Sequence, residues 1–242
     1  MVHTTDVLIV GGGVIGLTAA YRLAAEGLTV TVVDRSRVGT EASWAGAGML
    51  PPGNPHTAGG IEATLRGMSH VEWQGLSQEL LDRTGIDNGY RQCGSVQLAT
   101  TADEAQLLLE SWQKQDIPAE LLDRHTLHFH VPNAADNLEY GIFVPDFAQV
   151  RNPRHLKALK AACCQLNVTF VECVPDIRLT ADDGYRMKCS RDEQSVAPRL
   201  EPDSGGAAGT MGDMGDPREV SAFTDCGEIK AKNIIVAAGA WS

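Results

Sequence analysis

The chain has 242 residues, of which 43% are hydrophobic, and its formal net charge is −11. Length and apolar content predict one large or two smaller globular domains, and no apolar run is long enough to cross a bilayer. The acidity argues against nucleic acid or an anionic membrane surface as a partner. Because the first predicted strand begins almost at once, we expect no signal peptide and a cytoplasmic protein.

The first predicted elements are a strand, a glycine-rich turn, a helix and a second strand. Residues 7–10 are an apolar run typical of a strand buried on both faces, and residues 17–26 form a helical segment that stops at Gly27. A second apolar strand, Val30–Val33, ends at Asp34. This order is that of a dinucleotide-binding βαβ unit.

Glycines in the turn follow the G-x-G-x-x-G spacing. Gly11 permits the tight turn, Gly13 lets the backbone approach a pyrophosphate, and Gly16 lets the helix pack close to the sheet. The phosphates are expected at the helix N-terminus, beside Val14 and Ile15, where free N–H groups and the helix dipole favour negative charge.

Asp34 is placed to accept a hydrogen bond from a ribose hydroxyl. A lone glycine-rich turn is a weak signal, because such turns are common, but here the strand before it, the helix after it and the acid are all present. We therefore predict an adenine-dinucleotide site. These residues alone leave open whether the dinucleotide is FAD or NAD.

Small residues dominate the segment after Asp34. Gly46 and Gly48 would let the backbone lie flat against a broad planar ligand. Together with the glycine turn and the Asp34-Arg35 pair, residues 42–50 resemble the D-amino-acid oxidase family of flavoproteins, and most closely its glycine oxidase branch. The family usually has Glu where this chain has Asp34, a shorter residue of the same chemistry.

The resemblance assigns cofactor contacts beyond the glycine turn. In the family the second run contacts the FAD pyrophosphate and flavin, the residue matching Met49 borders the substrate pocket, and the residue matching Val174 contacts the adenine through its backbone. The contacts implied for this chain are Arg35, Ala42, Ser43, Ala47, Gly48, Met49 and Val174.

The middle of the chain predicts a second layer of helices and strands. Ile61–Thr84 is predicted as an amphipathic helix, with Leu65, Met68, Leu76 and Leu80 at near-helical spacing and Gly85 as its stop. The other elements predicted here are strand 93–99, a helix that follows a capping box at Thr101 to Glu104, and strand 141–144. By resemblance, residues 89–148 are the first part of an α+β substrate domain.

No metal or disulfide framework is expected. The six cysteines show no C-x-x-C spacing, which favours reduced thiols. His125, His128 and His130 form an H-x-x-H-x-H run, but no cysteine or carboxylate lies near them at a suitable ligand spacing. Ordinary histidines are the better interpretation.

The second half predicts a return to the dinucleotide-binding layer. Asn152 and Pro153 suit the start of a helix that runs to about residue 165. The strands predicted next are 168–171, followed by a small meander of 177–179 and 185–189. Residues 191–220 are rich in Gly, Pro, Asp and Ser and are predicted to be a disordered insertion.

The last stretch favours FAD over NAD. Residues 234–237 are a buried strand that ends in small residues, including Gly239, which can touch a cofactor at the carboxyl edge of the sheet. This stretch resembles the second FAD signature of the family, which NAD-dependent Rossmann dehydrogenases do not normally carry. We therefore expect Gly239 among the cofactor contacts and FAD as the cofactor.

These observations predict an α/β fold. A Rossmann-like FAD-binding domain, with a mainly parallel sheet and a small β-meander, would comprise residues 1–88 and 149–242, with part of the substrate domain inserted at 89–148. Family sequences continue past residue 242, so we expect an N-terminal portion whose C-terminal remainder is missing. By resemblance, the arginine that binds the substrate carboxylate lies beyond this chain.

The resemblance implies FAD-dependent oxidative deamination of glycine or a small D-amino or N-methyl amino acid. A hydride would pass from the α-carbon to the flavin, giving an imine or 2-oxo acid, and oxygen would be reduced to hydrogen peroxide. Thiamine biosynthesis is the implied pathway, and a homo-oligomeric intact protein is compatible with it. The alternatives are an FAD-dependent dehydrogenase with another electron acceptor, or a non-catalytic truncated product. We expect the 242-residue chain itself to be inactive.

Overall fold

A computed structural model describes residues 2–181, 186–189, 220–225 and 227–239. The chain forms two compact units. The first unit is Met1–Gly46 with Leu156–Ser242, and the second unit is Ala47–His155. The second unit is wider than the inserted segment expected from sequence, residues 89–148. Among the described residues no helix has both the length and the apolar character needed to cross a membrane.

The elements follow one another along the chain as mixed strands and helices. The strands are β1 (Val2–Val10), β2 (Val30–Val33), β3 (Met49–Leu50), β4 (Arg91–Gln92), β5 (Ser95–Ala99), β6 (Glu120–Leu122), β7 (Tyr140–Val144), β8 (Ala148–Gln149), β9 (Thr169–Val171), β10 (Ile177–Ala181), β11 (Arg186–Cys189), β12 (Val220–Thr224) and β13 (Gly227–Val236). The helices are α1 (Val14–Ala25), α2 (Ala42–Ala45), α3 (Ile61–Thr84), α4 (Ala102–Gln113), α5 (Arg124–His130) and α6 (Asn152–Gln165).

The first unit contains a seven-stranded sheet of order β11-β10-β12-β13-β1-β2-β9. Strands β13, β1, β2 and β9 run parallel, whereas β11, β10, β12 and β13 pair as an antiparallel meander. The predicted α/β fold, with a mainly parallel sheet and a small meander, is therefore confirmed. Strand β13 lies beside β1 in parallel, with Val10 opposite Val236, so the carboxyl ends of both strands reach one edge.

The core of the first unit is built from the apolar runs that the sequence shows. Leu8 and Val10 pack with Ile177, Leu179 and other buried residues of the meander on one side of the sheet. On α1, Leu17 and Tyr21 are fully buried, which explains the close packing of this helix. Burying a Leu or Val side chain stabilises the fold by roughly 1.5–3 kcal/mol relative to leaving it exposed.

The second unit contains two three-stranded antiparallel sheets, of order β3-β8-β4 and β5-β7-β6. Helix α4 packs on the second sheet, where Trp112 and Ala105 meet Ile142 and Val144. Thr101 begins this helix as predicted, because its hydroxyl oxygen accepts a hydrogen bond from the Glu104 N–H at 3.2 Å. Such an N-cap stabilises a helix by about 1 kcal/mol.

Helix α3 has the predicted bounds, but its predicted apolar face is only half buried. Gly85 ends it in the left-handed region, at a φ of 69°. Leu76 and Leu80 are buried, whereas Leu65 and Met68 are 65% and 56% exposed. The predicted amphipathic pattern therefore matches burial only in the C-terminal half of α3, since Leu65 and Met68 do not join Leu76 and Leu80 in the core.

The predicted disordered insertion, residues 191–220, lies outside the described residues except at its end. There Val220 begins strand β12, which pairs with both β10 and β13. This strand was not predicted, because it follows a long polar segment and has five residues without clear alternation.

A buried polar group lies inside the second unit, at His155. The ring is 2% exposed, and its Nδ1 accepts a hydrogen bond from the Asn88 side-chain amide at 3.2 Å. The same amide donates to the Ser77 hydroxyl at 3.1 Å, and the ring lies 4.9 Å from that of Trp73. Because Nδ1 accepts, the single proton of the neutral ring is on Nε2. Burial lowers the pKa of His155 to about 4, from an ordinary value of 6.5.

We expect acid to destabilise the protein through His155. The unfolded state binds a proton near pH 6.5 and the folded state only near pH 4, so this contribution is complete above pH 6.5 and falls as pH drops towards 4. At pH 5 the loss is about 2 kcal/mol. Urea unfolding at pH 7 and pH 5 measures it.

His155→Gln is the matched variant, because a glutamine keeps an acceptor near Asn88 and does not titrate. The unaltered chain should lose more stability between pH 7 and pH 5 than the variant does. Equal losses in the two proteins would contradict the assignment of this acid sensitivity to His155.

Candidate functional site

The glycine-rich turn after β1 is packed so tightly that two of its glycines admit no side chain. Gly11 has a φ of 104°, and a Cβ there would overlap the carbonyl oxygen of Ala237. A Cβ on Gly16 would overlap the carbonyl oxygen of Gly11. Gly11 also donates its N–H to the Val33 carbonyl at 2.8 Å, so the turn is fixed against β2 as well as against the end of β13.

Gly13 differs from these two glycines, because its missing side chain faces a small side chain and not backbone. In the described part of the chain, and apart from its own neighbours, a Cβ built there meets one atom within 4 Å, Oγ of Ser43, in a tight contact at 3.0 Å. Ser43 Oγ also accepts a hydrogen bond from the Val14 N–H at 3.0 Å, which satisfies one donor of the first turn of α1. A serine hydroxyl that accepts one hydrogen bond still has a proton to donate. Gly13 and Ser43 thus form a polar edge at the N-terminus of α1, where the helix dipole is positive.

Asp34 holds the turn through its carboxylate. Oδ2 accepts a hydrogen bond from the Gly12 N–H at 2.6 Å, and Oδ1 accepts one from the Ser36 N–H at 2.7 Å. Each carboxylate oxygen can accept a second hydrogen bond. The ribose contact predicted for Asp34 would therefore share a carboxylate that already links the glycine turn to the segment after β2.

These elements enclose a cavity of about 210 Å³ in the first unit. Nine predicted cofactor residues line it: Gly11, Gly13, Val14, Ile15, Asp34, Arg35, Ala42, Ser43 and Gly239. Sequence reasoning did not single out the other lining residues, which are Val10, Val33, Arg37, Gly39, Glu41, Ile177, Ala237 and Ala238. Ala237 and Ala238 directly precede Gly239 in the predicted second signature, whereas Arg37 and Glu41 have no local signal that could have identified them.

Two further predicted contacts belong to the first unit without lining the cavity. Gly16 packs beneath the turn. Val174 is fully buried and donates its N–H to the Asp34 carbonyl at 3.1 Å. The predicted backbone contact of Val174 with adenine would therefore have to use its carbonyl oxygen.

The remaining predicted contacts, Ala47, Gly48 and Met49, lie in the second unit. Gly48 has a φ of 74°, and a Cβ there would overlap the Val150 carbonyl oxygen, so only glycine fits this position. Met49 pairs with Gln149 across β3 and β8, and its side chain is 71% exposed. The assignment of these three residues to the flavin and the substrate pocket stays a prediction.

The histidine run lies on α5, a helix that was not predicted. Asp123 caps it by accepting a hydrogen bond from the Thr126 N–H at 2.9 Å, and the His130 ring stacks on Phe143 with centroids 4.6 Å apart. In the described part of the chain, no group of three or more His, Cys, Asp or Glu side chains could hold a metal ion.

The cavity suits the ADP portion of a dinucleotide on chemical grounds. A pyrophosphate needs backbone N–H groups and nearby positive charge, which the first turn of α1 and the two lining arginines, Arg35 and Arg37, provide. Gly13 lines the cavity without a side chain, which would let the phosphates approach that turn. Ribose hydroxyls need an anionic acceptor, which Asp34 supplies.

Comparisons with known proteins agree with this chemistry. The model of the family described as FAD dependent oxidoreductase matches residues 6–242. Glycine oxidase of Pseudomonas aeruginosa is 29% identical over 236 residues, which cover 98% of this chain and 56% of that protein. Glycine oxidase of Pseudomonas putida is 36% identical over 168 residues, covering 69% of this chain and 46% of that protein.

A solved structure extends the similarity to the backbone. The crystal structure of glycine oxidase from Geobacillus kaustophilus superposes with a TM-score of 0.75 at 27% identity, covering 99% of this chain and 56% of that one. The chain thus spans about half the length of the relatives it matches.

Proposed function

Because the chain belongs to the family of FAD dependent oxidoreductases, we propose that its first unit holds the ADP portion of FAD in the cavity between the glycine turn and the end of β2. The observation that carries this proposal is the polar edge that Gly13 and Ser43 form at the N-terminus of α1, where both residues line the cavity. Gly11 and Gly16 exclude side chains because backbone carbonyl oxygens lie against them, whereas Gly13 lines the cavity and faces the Ser43 hydroxyl, where a phosphate would be placed.

Particular residues would hold each part of FAD. The first turn of α1 and Ser43 would donate hydrogen bonds to the pyrophosphate, and Arg35 and Arg37 would balance its charge. Asp34 would accept from the ribose with the lone pairs that Gly12 and Ser36 leave free. Ala237, Ala238 and Gly239 carry little or no side chain, so they let the cofactor approach the backbone at the end of β13.

We further propose that the protein takes part in oxidative deamination of glycine or a small D-amino or N-methyl amino acid. Bound FAD supplies a hydride acceptor, which is the chemistry needed to oxidise an amine to an imine. The support for an amino acid as substrate is the similarity to two glycine oxidases and to the solved glycine oxidase structure. Oxygen as the electron acceptor, a role in thiamine biosynthesis and a homo-oligomeric protein are further parts of the proposal.

The test separates cofactor binding, substrate oxidation and choice of electron acceptor. The purified chain is loaded with FAD, freed of excess cofactor and mixed anaerobically with glycine, sarcosine or D-alanine. We expect the 242-residue chain to retain flavin absorbance, with no bleaching by these amino acids. In a longer protein that also carries the C-terminal part present in the relatives, at least one amino acid should bleach the flavin, and air should then restore the colour and produce hydrogen peroxide.

Each of the other outcomes contradicts one part of the proposed function. If an amino acid bleaches the flavin but air produces no hydrogen peroxide, and an artificial dye accepts the electrons instead, the activity is that of a dehydrogenase and not of an oxidase. Retained flavin that no amino acid bleaches in the longer protein would contradict amino-acid oxidation while supporting the cavity assignment. Bleaching in the 242-residue chain would contradict the expectation that this chain is inactive. Failure to retain flavin or to bind free FAD would contradict the cavity assignment itself.

A further inference from the structure

Glu172 joins two segments of the first unit that are far apart in the chain. It directly follows β9, and its Oε1 accepts a hydrogen bond from the Val38 backbone N–H at 2.7 Å. The same oxygen accepts a hydrogen bond from Nζ of Lys160, on α6, also at 2.7 Å. Partial burial raises the pKa of Glu172, but the hydrogen bonds from Lys160 and Val38 and the charges of Lys160 and Arg37 outweigh it and keep the pKa below its usual value.

Val38 is the residue through which the segment after β2 packs against the glycine turn. Its side chain is 6% exposed, and its Cγ2 lies 2.6 Å from the place where a Cβ of Gly12 would stand. The next residue, Gly39, donates its N–H to the Gly12 carbonyl at 2.9 Å. The position of Val38 therefore decides how closely residues 35–41 approach the glycine turn.

Residues 35–41 form one wall of the cavity. Arg35, Arg37, Gly39 and Glu41 all line it. The wall is attached at its start by the Cys173 N–H, which donates to the Ser36 carbonyl at 3.1 Å. Glu172 fixes its middle at Val38, beside Arg37. A loop that is already ordered binds a ligand without the entropic cost of ordering it on binding.

We propose that Glu172 is a positioning residue for the cofactor, acting through Val38 to hold the arginine-bearing wall, residues 35–41, in its binding conformation. The ligand class is the adenosine diphosphate part of the cofactor, since the wall lines the cavity assigned to it. The proposal rests on FAD occupying that cavity. Glu172 itself does not line the cavity and acts only through the wall.

The test uses Glu172→Ala with Asp6→Ala as a matched control. Asp6 also accepts a hydrogen bond from a lysine, Lys232 at 2.7 Å, and from a backbone N–H, that of Thr29 at 2.9 Å, but it lies outside the cavity. Kd values for ADP and for FAD are measured by calorimetry at a temperature at which all proteins are fully folded. Amide hydrogen exchange of residues 35–41 is measured without ligand.

We expect Glu172→Ala to weaken ADP and FAD by the same factor, about ten-fold, and to speed exchange in residues 35–41. Glu172→Gln keeps an acceptor for the Val38 N–H, so its affinity should fall between those of Glu172→Ala and the unaltered chain. Asp6→Ala should change neither the affinity nor this exchange.

Two results would overturn the proposal, and they differ in what else they overturn. If the unaltered chain binds neither ADP nor FAD, the cavity assignment fails and the role of Glu172 fails with it. If it binds both and Glu172→Ala binds them equally well, or no worse than Asp6→Ala does, the role of Glu172 fails alone.

Discussion

Gly13→Val is expected to abolish FAD binding, with a Kd raised by more than about a hundred-fold, while the first unit stays folded. The valine side chain would project into the cavity beside Ser43 Oγ, where the pyrophosphate is proposed to lie. The backbone at this position is extended, with φ −76° and ψ −172°, which a valine adopts without strain. Flavin fluorescence quenching measures the affinity, and urea unfolding measures the stability.

Gly59→Val is the control for Gly13→Val, since a Cβ on Gly59 meets nothing within 4 Å and the residue belongs to the second unit. It should leave the FAD affinity unchanged. A Gly13→Val protein that binds FAD normally would show that the phosphates do not pass over this residue. Loss of folding in Gly13→Val would show that Ser43 cannot move away from the added side chain.

Asp34→Asn is expected to weaken FAD binding by about a hundred-fold and also to destabilise the chain by roughly 1–3 kcal/mol. Both carboxylate oxygens accept backbone N–H groups, from Gly12 and Ser36. An asparagine has only one oxygen, so its NH₂ group would face one of these donors and leave it without an acceptor. Calorimetry and urea unfolding measure the two effects.

Asp6→Asn is the control for Asp34→Asn. The Asp6 carboxylate also accepts a hydrogen bond from a backbone N–H, that of Thr29. Replacing this carboxylate by an amide should therefore lower stability without changing FAD affinity. Asp34→Glu, which carries the acid usual in the family, should bind FAD better than Asp34→Asn. Equal stability of Asp34→Asn and the unaltered chain would contradict the double backbone contact.

The local part of the site could be predicted from sequence because its constraints are local. The glycines of the turn, the start of α1 and the end of β2 lie within 24 residues, from Gly11 to Asp34, and their spacing alone indicates the chemistry. The small residues up to Gly239 could be predicted for the same reason, because they lie at the end of an apolar strand that is evident in the sequence. These small residues reach the glycine turn because β13 pairs in parallel with β1.

The rest of the cavity depends on contacts between distant residues. Glu172 and Val38 are 134 residues apart, and no spacing rule relates them. The backbone partners of Asp34 also follow from the folded geometry, since the residue type alone predicts an acceptor and not which donors it meets. Helix α5 was missed for another reason: Asp123 followed by Thr126 is a capping signal, but the three histidines were weighed only as metal ligands, which was rejected, and not as part of a helix.

The pairing of β1 with β13 has a consequence for synthesis on the ribosome. Val2 lies opposite Glu228, so the first strand made cannot find this neighbour until more than two hundred further residues have been translated. At about 5–20 residues per second, that wait lasts roughly ten to fifty seconds. The second unit, Ala47–His155, is one continuous segment and is complete well before then. Strand β2 is available to β1 early, but the edge of β1 that faces β13 lacks its partner for that interval, which is when a chaperone would have the most to protect.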